Sequence, residues 1–409
     1  MNSLLISRKT SVDGTVEHLP SSKSLSNRAL ILEALAGNQS VVSNLSSARD
    51  TVLMQKLVRS PEKTIDVMDA GTTMRFLTGF FAIKGMNKIM TGSARMKERP
   101  IALLVDALRT LGVTIDYLEK DGFPPHELKG FSGQQTNQLD MPGHVSSQYI
   151  SSLMMVAPLL PKGLTIRLTG KVGSRPYIEM TAALMKHFGA TVRFNEPIIE
   201  IPNGIYKANP YAVEGDWSGA SYWFAFTALA EKASIDLLSV TDASLQGDRA
   251  IVEVMEQLGV KTTFHRSGAR LEKKNAANTV EWDFSQCPDL AQTVLPVCAA
   301  KKIKGTFTGL ESLRIKETDR IYALQQELAK IGAEITEPTT GTWILTPSSS
   351  AALPPRIQVN TYHDHRMAMG LAPLATLMEV EILDPSVVNK SYPTYWQDMK
   401  NLGFAISEH

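Results

Sequence analysis

The chain has 409 residues, of which 43% are apolar and 20% are charged, so it can fold into a globular protein with two or more cores. This composition excludes a chain that is disordered over most of its length. The formal net charge of +1, without a long block of lysine or arginine, argues against a dedicated nucleic-acid-binding protein. We therefore expect small-molecule partners.

The sequence contains no obvious membrane segment or disulfide framework. No apolar run approaches the roughly 20 residues that a membrane helix needs, and the apolar run at the N-terminus is too short for a signal peptide. The two cysteines, Cys287 and Cys298, are too few for a disulfide scaffold and lack the spacing of zinc ligands. We therefore expect a cytoplasmic protein without a membrane partner or a metal.

One pattern occurs five times along the chain: a helical segment, a glycine, and a short alternating segment. The glycines are Gly112, Gly189, Gly259, Gly332 and Gly403, and they lie 77, 70, 73 and 71 residues apart. A glycine after a helix often adopts the left-handed conformation that ends it, and the β-favouring residues that follow predict a strand. The even spacing predicts a duplicated helix–glycine–strand unit.

A sixth unit is expected before the first of these glycines, but it is shortened. The segment after residues 54–57 continues into residues 60–63 without a glycine. Six units in a chain of this length predict an α/β (α+β) fold with two similar lobes of three units each. The middle of the chain, near residues 213–219, is a plausible crossover between them.

The first two predicted helix starts carry cations or hydroxyls. The helix dipole disfavours a cation there by roughly 0.3 to 1 kcal/mol, whereas a cation together with free backbone N–H groups forms an anion site. Lys23 and Arg28 flank the first predicted helix, which Ser26 or Asn27 is expected to cap. In the second, Gly71 permits close approach to the backbone beside several donors.

The next helix starts combine hydroxyls, arginine and proline. Arg99 precedes Pro100, which suits the first position of a helix, and Ser174 precedes a similar Arg-Pro-Tyr segment. Ser146 and Ser147 could either cap a helix or bind a phosphate oxygen. These segments extend the pattern of candidate anion sites.

Two charged segments lie in the last third of the chain. Lys316, Glu317 and Arg320 occupy one turn boundary, where a solvated charged face is the alternative interpretation. Residues 363–366, His-Asp-His-Arg, precede an apolar stretch and could in principle hold a metal. Adjacent side chains of an extended segment point in different directions, so we favour anion binding there.

One acid, Asp289, follows a proline and precedes a predicted buried helix. An acid at a helix start can be purely structural, because it complements the helix dipole. If Asp289 instead faces a group of cations, it stays ionised and can accept a proton or a hydrogen bond from a substrate hydroxyl.

Seven motifs, in this order, resemble those of the 5-enolpyruvylshikimate-3-phosphate synthases over nearly the whole chain. They are SKSLSNRAL at 22–30, AGTTMR at 70–75, MKERP at 96–100, VSSQ at 145–148, SRPY at 174–177, RIKETDR at 314–320 and DHRMAM at 364–369. The resemblance implies two lobes, each of three βαβαββ-like repeats with pseudo-threefold symmetry, and an active site in the cleft between them. One lobe would comprise residues 1–20 and 217–409, with repeats four to six, and the other residues 21–216, with repeats one to three.

The resemblance also implies the substrates, which are shikimate 3-phosphate and phosphoenolpyruvate, and it implies neither a cofactor nor a metal. We expect a monomer. Carried over residue by residue, shikimate 3-phosphate would be bound by Lys23, Ser24, Arg28, Ser146, Ser147, Ser174 and Tyr177. Phosphoenolpyruvate would be bound by Gly71, Arg99, Gln148, Arg320, Arg366 and Lys390, and Lys316 and His365 complete the expected substrate site.

The expected catalytic residues are Asp289, Glu317 and Lys23. In the mechanism that the resemblance implies, Asp289 orients or deprotonates the 5-hydroxyl of shikimate 3-phosphate as it attacks C2 of phosphoenolpyruvate. Glu317 or Lys23 supports protonation at C3, and a tetrahedral ketal phosphate forms. Loss of a C3 proton and of phosphate then gives the enol ether.

Four positions depart from the family pattern. Asp69 stands where asparagine is common, Arg49 where an acid is usual, Thr73 where alanine is common, and Ser312 where asparagine often contacts the substrate. We expect Asp69 to add negative charge beside the phosphate of phosphoenolpyruvate.

Three other functions remain open on the sequence. The related transferase that uses UDP-N-acetylglucosamine is expected to show an early Lys-Asn pair, whereas this chain has Lys23 followed by Ser24. A non-catalytic anion-binding protein of the same fold is a second alternative. A nucleic-acid-binding protein is a third, although aromatic residues do not alternate with basic ones as such a surface requires.

Overall fold

The computed structural model describes residues 3–37, 41–143, 146–170, 172–349 and 352–409. The chain divides into two compact units. We call Met1–Ser22 together with Glu214–His409 the discontinuous unit, and Lys23–Val213 the continuous unit. In the described part of the chain, no helix is both long and apolar enough to span a membrane.

The elements alternate between strands and helices along each unit. The discontinuous unit begins with β1 (Ser3–Ile6) and β2 (Ser11–Val16). The continuous unit follows with α1 (Lys23–Leu35), β3 (Val42–Ser43), α2 (Arg49–Leu57), β4 (Thr64–Asp66), α3 (Gly71–Ile83), β5 (Lys88–Thr91), α4 (Ala94–Lys97), α5 (Ala102–Leu111), β6 (Val113–Tyr117), β7 (His126–Phe131), β8 (Gln138–Pro142), α6 (Ser147–Val156), β9 (Leu164–Thr169), α7 (Arg175–His187), β10 (Arg193–Asn195), β11 (Ile198–Ile201) and β12 (Tyr211–Ala212). The discontinuous unit resumes with α8 (Trp217–Leu229), β13 (Lys232–Leu238), α9 (Ile251–Gln257), β14 (Val260–His265), β15 (Gly268–Lys273), β16 (Thr279–Asp283), α10 (Ala291–Ala300), β17 (Lys304–Thr308), α11 (Arg320–Ala329), β18 (Ala333–Thr339), β19 (Thr342–Pro347), β20 (Arg356–Val359), α12 (His365–Leu371), β21 (Glu379–Leu383), α13 (Tyr395–Asn401) and β22 (Ile406–Glu408).

The four-stranded sheets of both units share one pattern of pairing. The strand orders are β4-β5-β7-β6 and β10-β11-β9-β8 in the continuous unit, and β14-β15-β13-β2, β16-β17-β19-β18 and β20-β21-β1-β22 in the discontinuous unit. Each sheet contains one parallel pair and two antiparallel pairs. A parallel pair needs a crossover connection, and α3, α6, α10 and α12 each supply one.

The five glycine breaks that the sequence predicts are confirmed. The backbone φ angles are 108° at Gly112, 87° at Gly189, 101° at Gly259, 76° at Gly332 and 83° at Gly403, and all lie in the left-handed region. Strands β6, β14 and β18 begin at the residue after the glycine, and β10 and β22 begin within the next few residues. Each unit thus repeats one local motif, in which a glycine ends a helix and a strand follows it.

One sheet of the continuous unit is smaller than the others. Among the described residues, β3 and β12 form a two-stranded parallel sheet in which Val42 lies opposite Tyr211. The other sheets of the described chain have four strands each.

Several helices are buried on almost every side. In α3 and α6 of the continuous unit, and in α8, α10 and α12 of the discontinuous unit, nearly all residues are buried. Each unit has its own apolar core around these helices. Because such a helix is enclosed, polar side chains in its first turn lie inside the protein, where they must find partners or bind a ligand.

Candidate active site

Asp289 lies at the centre of a group of cations in the discontinuous unit. It belongs to the 3₁₀ turn Pro288–Leu290, which leads directly into the buried helix α10. Its Oδ1 lies 2.8 Å from Nη1 of Arg320 and 3.5 Å from Nζ of Lys316, and its Oδ2 lies 3.0 Å from Nη2 of Arg366. The purely structural interpretation of this acid therefore does not account for its surroundings.

Burial and charge act on Asp289 in opposite directions. Burial by itself would raise the pKa of this carboxyl, but Arg366, Lys316 and Arg320 outweigh it and hold the pKa well below its ordinary value. Asp289 is therefore ionised at neutral pH, as a hydrogen-bond acceptor or a base requires. Such competition between burial and charge is common at catalytic sites.

Arg320, the first residue of α11, links three carboxylates. It is 1% exposed, and its guanidinium lies 2.7 Å from Asp364, 2.8 Å from Asp289 and 3.0 Å from Glu317. Burial opposes its charge, but these carboxylates raise the pKa of Arg320 above its ordinary value. Lys390, which is also buried, lies 3.6 Å from Glu317. The alternative of a solvated charged face at this boundary is therefore wrong for Arg320.

The segment at the start of α12 contributes to the same cluster. Asp364 caps the helix by accepting a hydrogen bond of 2.9 Å from the backbone N–H of Arg366, and Nδ1 of the buried His365 lies 3.4 Å from Asp364. Arg366 also contacts Oγ of Ser218 at 3.3 Å and the hydroxyl of Tyr222 at 3.4 Å. In the residues that the structure describes, no group of three or more His, Cys, Asp or Glu side chains could hold a metal ion.

Asp248 is a member of this cluster that the sequence interpretation missed. It is 2% exposed, and its carboxylate accepts a hydrogen bond from the hydroxyl of Ser218, which also contacts Arg366. Burial, partly offset by Arg366, raises the pKa of Asp248. An acid before an apolar helix was the only local signal, since its partner lies 30 residues away in the chain.

The cluster carries more positive than negative charge. Apart from Asp248, its charged members are four cations (Lys316, Arg320, Arg366 and Lys390) and three carboxylates (Asp289, Glu317 and Asp364). Subtracting three from four leaves one positive charge, and burial, which raises the pKa of Asp248, opposes the ionisation of a fourth carboxylate. Such a site favours a ligand with several negative charges.

In the continuous unit, Arg28 is a buried cation with neutral partners. It is 2% exposed, and its guanidinium donates to Oγ1 of Thr181 at 2.7 Å, to Oγ of Ser151 at 3.2 Å and to the carbonyl of Ser24 at 2.9 Å. The Tyr177 ring centroid lies 5.7 Å from its Cζ. Burial lowers the pKa of Arg28 to about 10, so it stays charged at neutral pH. Among the described residues, its contacts include no carboxylate.

Sequence interpretation found Arg28 but not two of its partners. Ser151 lies one helical turn after Ser147 on α6, and Thr181 lies one turn after Tyr177 on α7. The hydroxyl of Thr181 donates to Ser151 at 2.9 Å, so the two hydroxyls that accept from Arg28 are themselves linked. A hydroxyl on the buried face of a helix is the signal that could have identified them.

Ser174 precedes α7 in an uncommon backbone conformation. Its φ is 52°, in the left-handed region, and its side chain makes no capping hydrogen bond. Helix α7 begins at Arg175, so Pro176 lies in its first turn, one position later than the sequence predicts. A residue other than glycine in this conformation often marks a functional site.

Gly71 and Arg99 lie in direct contact. A Cβ atom placed on Gly71 would lie 2.7 Å from Nη1 of Arg99, so a larger residue there would require the guanidinium at the start of α3 to shift. Arg99 is 9% exposed, and its Nε has no hydrogen-bond partner within the described part of the chain. This guanidinium beside a helix N-terminus has the form of an anion site.

Gln148 links the start of α6 to the start of α3. Its amide donates a hydrogen bond of 3.1 Å to Oγ1 of Thr72, the residue after Gly71. Ser146 caps α6 through the backbone N–H of Gln148, and Ser147 begins the helix and is buried. Both alternatives for these serines stay open, because capping occupies only one lone pair of a hydroxyl.

Two predictions about helix starts are wrong. Helix α1 begins at Lys23, so Ser26 and Asn27 lie inside it, and Ser26 instead accepts a hydrogen bond of 3.0 Å from the N–H of Ser46. Lys23 can occupy the first turn because Asp50 lies 3.2 Å from its ammonium group and offsets the unfavourable helix dipole.

Pro100 does not begin a helix either. Helix α5 begins at Ala102 with Ile101 as its cap. The carbonyl of Pro100 accepts hydrogen bonds from Arg75 of α3, at 3.1 Å, and from the hydroxyl of Tyr149 of α6. It therefore links these two helices.

Comparison with known proteins gives one consistent family. A family model described as EPSP synthase (3-phosphoshikimate 1-carboxyvinyltransferase) matches residues 6–66 and 55–399. A 3-phosphoshikimate 1-carboxyvinyltransferase of Bacteroides fragilis (strain YCH46) is 42% identical over 409 residues, which cover 98% of each chain. The protein of that name from Idiomarina loihiensis is 34% identical and covers 98% of this chain and 99% of its own.

The fold has a close counterpart among solved structures. An EPSP synthase from Acinetobacter baumannii superimposes with a TM-score of 0.82 at 20% identity, over 100% of both chains. The α/β (α+β) fold that the sequence predicts is therefore confirmed, and the structure builds it from several small sheets.

Proposed function

Since the chain belongs to the EPSP synthase family, we propose that the charged clusters of its two units bind the substrates of that reaction. The protein is a 3-phosphoshikimate 1-carboxyvinyltransferase. It transfers the enolpyruvyl group of phosphoenolpyruvate to the 5-hydroxyl of shikimate 3-phosphate and releases phosphate, a step of aromatic amino acid biosynthesis. The assignments of individual residues below are proposals.

Shikimate 3-phosphate is assigned to residues of the continuous unit. The buried cation Arg28, whose partners among the described residues are neutral, binds the substrate carboxylate. The other members of this site are Lys23, Ser24, Ser146, Ser147, Ser174 and Tyr177. Of these, Ser146, Ser147 and Ser174 receive the phosphate. The αL backbone of Ser174 and the charge of Lys23 support this assignment.

Phosphoenolpyruvate is assigned to cations that outnumber their carboxylates. In the continuous unit, Arg99 and Gly71 form a phosphate site, and Gln148 lies beside it through Thr72. In the discontinuous unit, the members are Lys316, Arg320, His365, Arg366 and Lys390. Arginines suit this role because a guanidinium can bind phosphate or carboxylate through two parallel hydrogen bonds.

Asp289 acts on the hydroxyl that attacks. Its ionised carboxylate orients the 5-hydroxyl or accepts its proton as the oxygen bonds to C2 of phosphoenolpyruvate, and Glu317 or Lys23 supports proton delivery to C3. In the second step the ketal loses a C3 proton, the C2–O bond to phosphate breaks, and the cations stabilise the leaving phosphate. The observation that carries this proposal is the contact of Asp289 with Arg320, Arg366 and Lys316.

The test is phosphate release from phosphoenolpyruvate by the purified protein, with shikimate 3-phosphate or UDP-N-acetylglucosamine as the acceptor. We expect release only with shikimate 3-phosphate. Release with UDP-N-acetylglucosamine would favour the related transferase, and no release with either acceptor would favour a non-catalytic anion-binding protein.

We further propose that the enzyme works as a monomer in the cytoplasm. Its two cysteines are free and buried in the discontinuous unit, which suits a reducing compartment. Light scattering coupled to size-exclusion chromatography tests the first part, and a mass near 44.8 kDa is expected.

A further inference from the structure

Two of the residues that depart from the family pattern contact each other. Arg49 is the first residue of α2, and its Nη2 lies 2.7 Å from Oδ1 of Asp69. The side chains are 49% and 33% exposed, and an ion pair of that exposure contributes little to stability. A cation at the start of a helix is also unfavourable by itself. The pair therefore calls for an explanation other than stability.

The position of Asp69 suggests that explanation. It lies two residues before Gly71, so the Cα atoms of these residues are at most about 7 Å apart. Gly71 in turn contacts the guanidinium of Arg99, a Cβ on Gly71 being placed 2.7 Å from its Nη1. Without the charge of Arg49, the carboxylate at residue 69 would repel an anion at the Gly71–Arg99 site more strongly.

We propose that Arg49 is a positioning residue for phosphoenolpyruvate, which holds and neutralises the Asp69 carboxylate and so keeps the Gly71–Arg99 site open to phosphate. Arg49 acts through Asp69 and does not contact the substrate. The inference rests on the assignment of Gly71 and Arg99 to phosphoenolpyruvate. It replaces the sequence expectation that Asp69 simply adds negative charge beside the phosphate, because the two departures compensate each other.

The test is a cycle of four proteins: wild type, Arg49→Ala, Asp69→Asn and Arg49→Ala/Asp69→Asn. We expect Arg49→Ala to raise KM for phosphoenolpyruvate by about three- to tenfold, the size expected for one like charge in a partly screened setting, with little change in kcat. Asp69→Asn in the same chain removes the repelling charge, so the double variant returns to within about twofold of wild type.

Matched variants separate charge from structure. Arg49→Lys keeps the charge and is expected to preserve KM. Arg167→Ala breaks another exposed pair of the continuous unit, with Asp140 on the neighbouring strand, and is expected to change neither KM. The effect of Arg49→Ala should also shrink at 1 M salt, where the Debye length is about 3 Å.

The inference is overturned if Arg49→Ala leaves KM for phosphoenolpyruvate unchanged, or if it raises that KM equally in the presence of Asp69→Asn. Arg99→Met tests the premise separately. If Arg99→Met leaves KM for phosphoenolpyruvate unchanged, the assignment of Arg99 to that substrate fails, whatever the coupling between Arg49 and Asp69.

Discussion

Arg28 carries its charge into the core of the continuous unit, where hydroxyls and carbonyls are its partners in the described chain. Taking a cation out of water costs free energy that neutral hydrogen bonds only partly repay. A protein without use for this charge would be more stable with an apolar side chain of similar volume. The arrangement therefore supports the proposed role of Arg28 in binding an anion.

The buried charge of Arg28 leads to a prediction for Arg28→Met. We expect KM for shikimate 3-phosphate to rise by about 10- to 100-fold, the value of a charge-assisted hydrogen bond, while the thermal midpoint stays equal or increases. Steady-state kinetics and calorimetry provide the two measurements. A large loss of stability without a change in KM would show that the residue is structural.

At the same scale, the sequence allowed predictions about single residues but not about their contacts. The residue types and motifs pointed to Arg28, Arg99 and Asp289. Thr181, Ser151 and Asp248 were missed, because the sequence can show that a buried hydroxyl or acid needs a partner but not which residue that partner is. The Arg49–Asp69 pair was missed for the same reason, since its members lie 20 residues apart.

At the scale of elements, the glycine between helix and strand in each repeated motif was the most predictable feature. Its conformation depends on a local requirement, a left-handed residue between helix and strand, which the sequence displays directly. Helix starts were less predictable. Lys23 and Pro100 show why, since an ion pair with Asp50 and hydrogen bonds to the Pro100 carbonyl come from distant parts of the chain.

Two of these glycines allow a matched test of stability. At Gly189 the nearest atom to an added Cβ is on the Lys207 side chain at 3.6 Å, whereas at Gly112 the carbonyl oxygen of Gly133 would lie at 2.2 Å. We expect Gly189→Ala to cost about 1 kcal/mol from left-handed strain alone. Gly112→Ala should cost about 1 to 3 kcal/mol more, because the backbone must also move.

Calorimetry is the suitable measurement for this pair of variants. All five tryptophans, which are Trp217, Trp223, Trp282, Trp343 and Trp396, lie in the discontinuous unit, so their fluorescence does not report directly on the continuous unit. Equal losses in the two variants would contradict the account of the Gly112 contact.

His126, the first residue of β7, makes the continuous unit sensitive to acid. It is fully buried, its Nε2 lies 3.1 Å from Oγ1 of Thr78 on α3, and burial, with Arg75 and Arg109, lowers its pKa to about 3. Between pH 6.5 and 3, His126 is protonated in the unfolded chain but neutral in the folded protein. Stability therefore falls as the pH falls, by about 1.4 kcal/mol per pH unit.

We expect His126→Gln, which keeps a polar atom near Thr78, to remove this part of the acid sensitivity. The measurement is the free energy of unfolding of both proteins between pH 7 and 4.5, where the wild type should lose about 2 kcal/mol more than the variant by pH 5. Parallel pH profiles would contradict the assignment of the effect to His126.

At the scale of the whole molecule, the even spacing of repeats was visible in the sequence, and the pairing of distant strands was not. Strand β1 at the start of the chain pairs with β21 and β22 near its end. No local pattern in residues 3–6 indicates such partners, and only the family resemblance implied that the first segment joins the last. Each helix–glycine–strand motif can be recognised in a short segment of the sequence, whereas sheet assembly depends on the complete chain.

The account as a whole depends on one ionised carboxylate among cations. Asp289→Asn keeps the size of the side chain and removes its charge and basicity. Asp319→Asn is a matched control, since Asp319 caps α11 beside the same cluster through a 3.1 Å hydrogen bond from Tyr322, and asparagine caps a helix equally well.

The decisive measurement is the rate of phosphate release from phosphoenolpyruvate, with saturating shikimate 3-phosphate, for wild type, Asp289→Asn and Asp319→Asn. We predict that Asp289→Asn lowers kcat by about 100-fold or more, as expected for loss of a general base, while Asp319→Asn turns over at the wild-type rate. Turnover of a folded Asp289→Asn variant within about threefold of wild type, well short of that loss, would contradict the account.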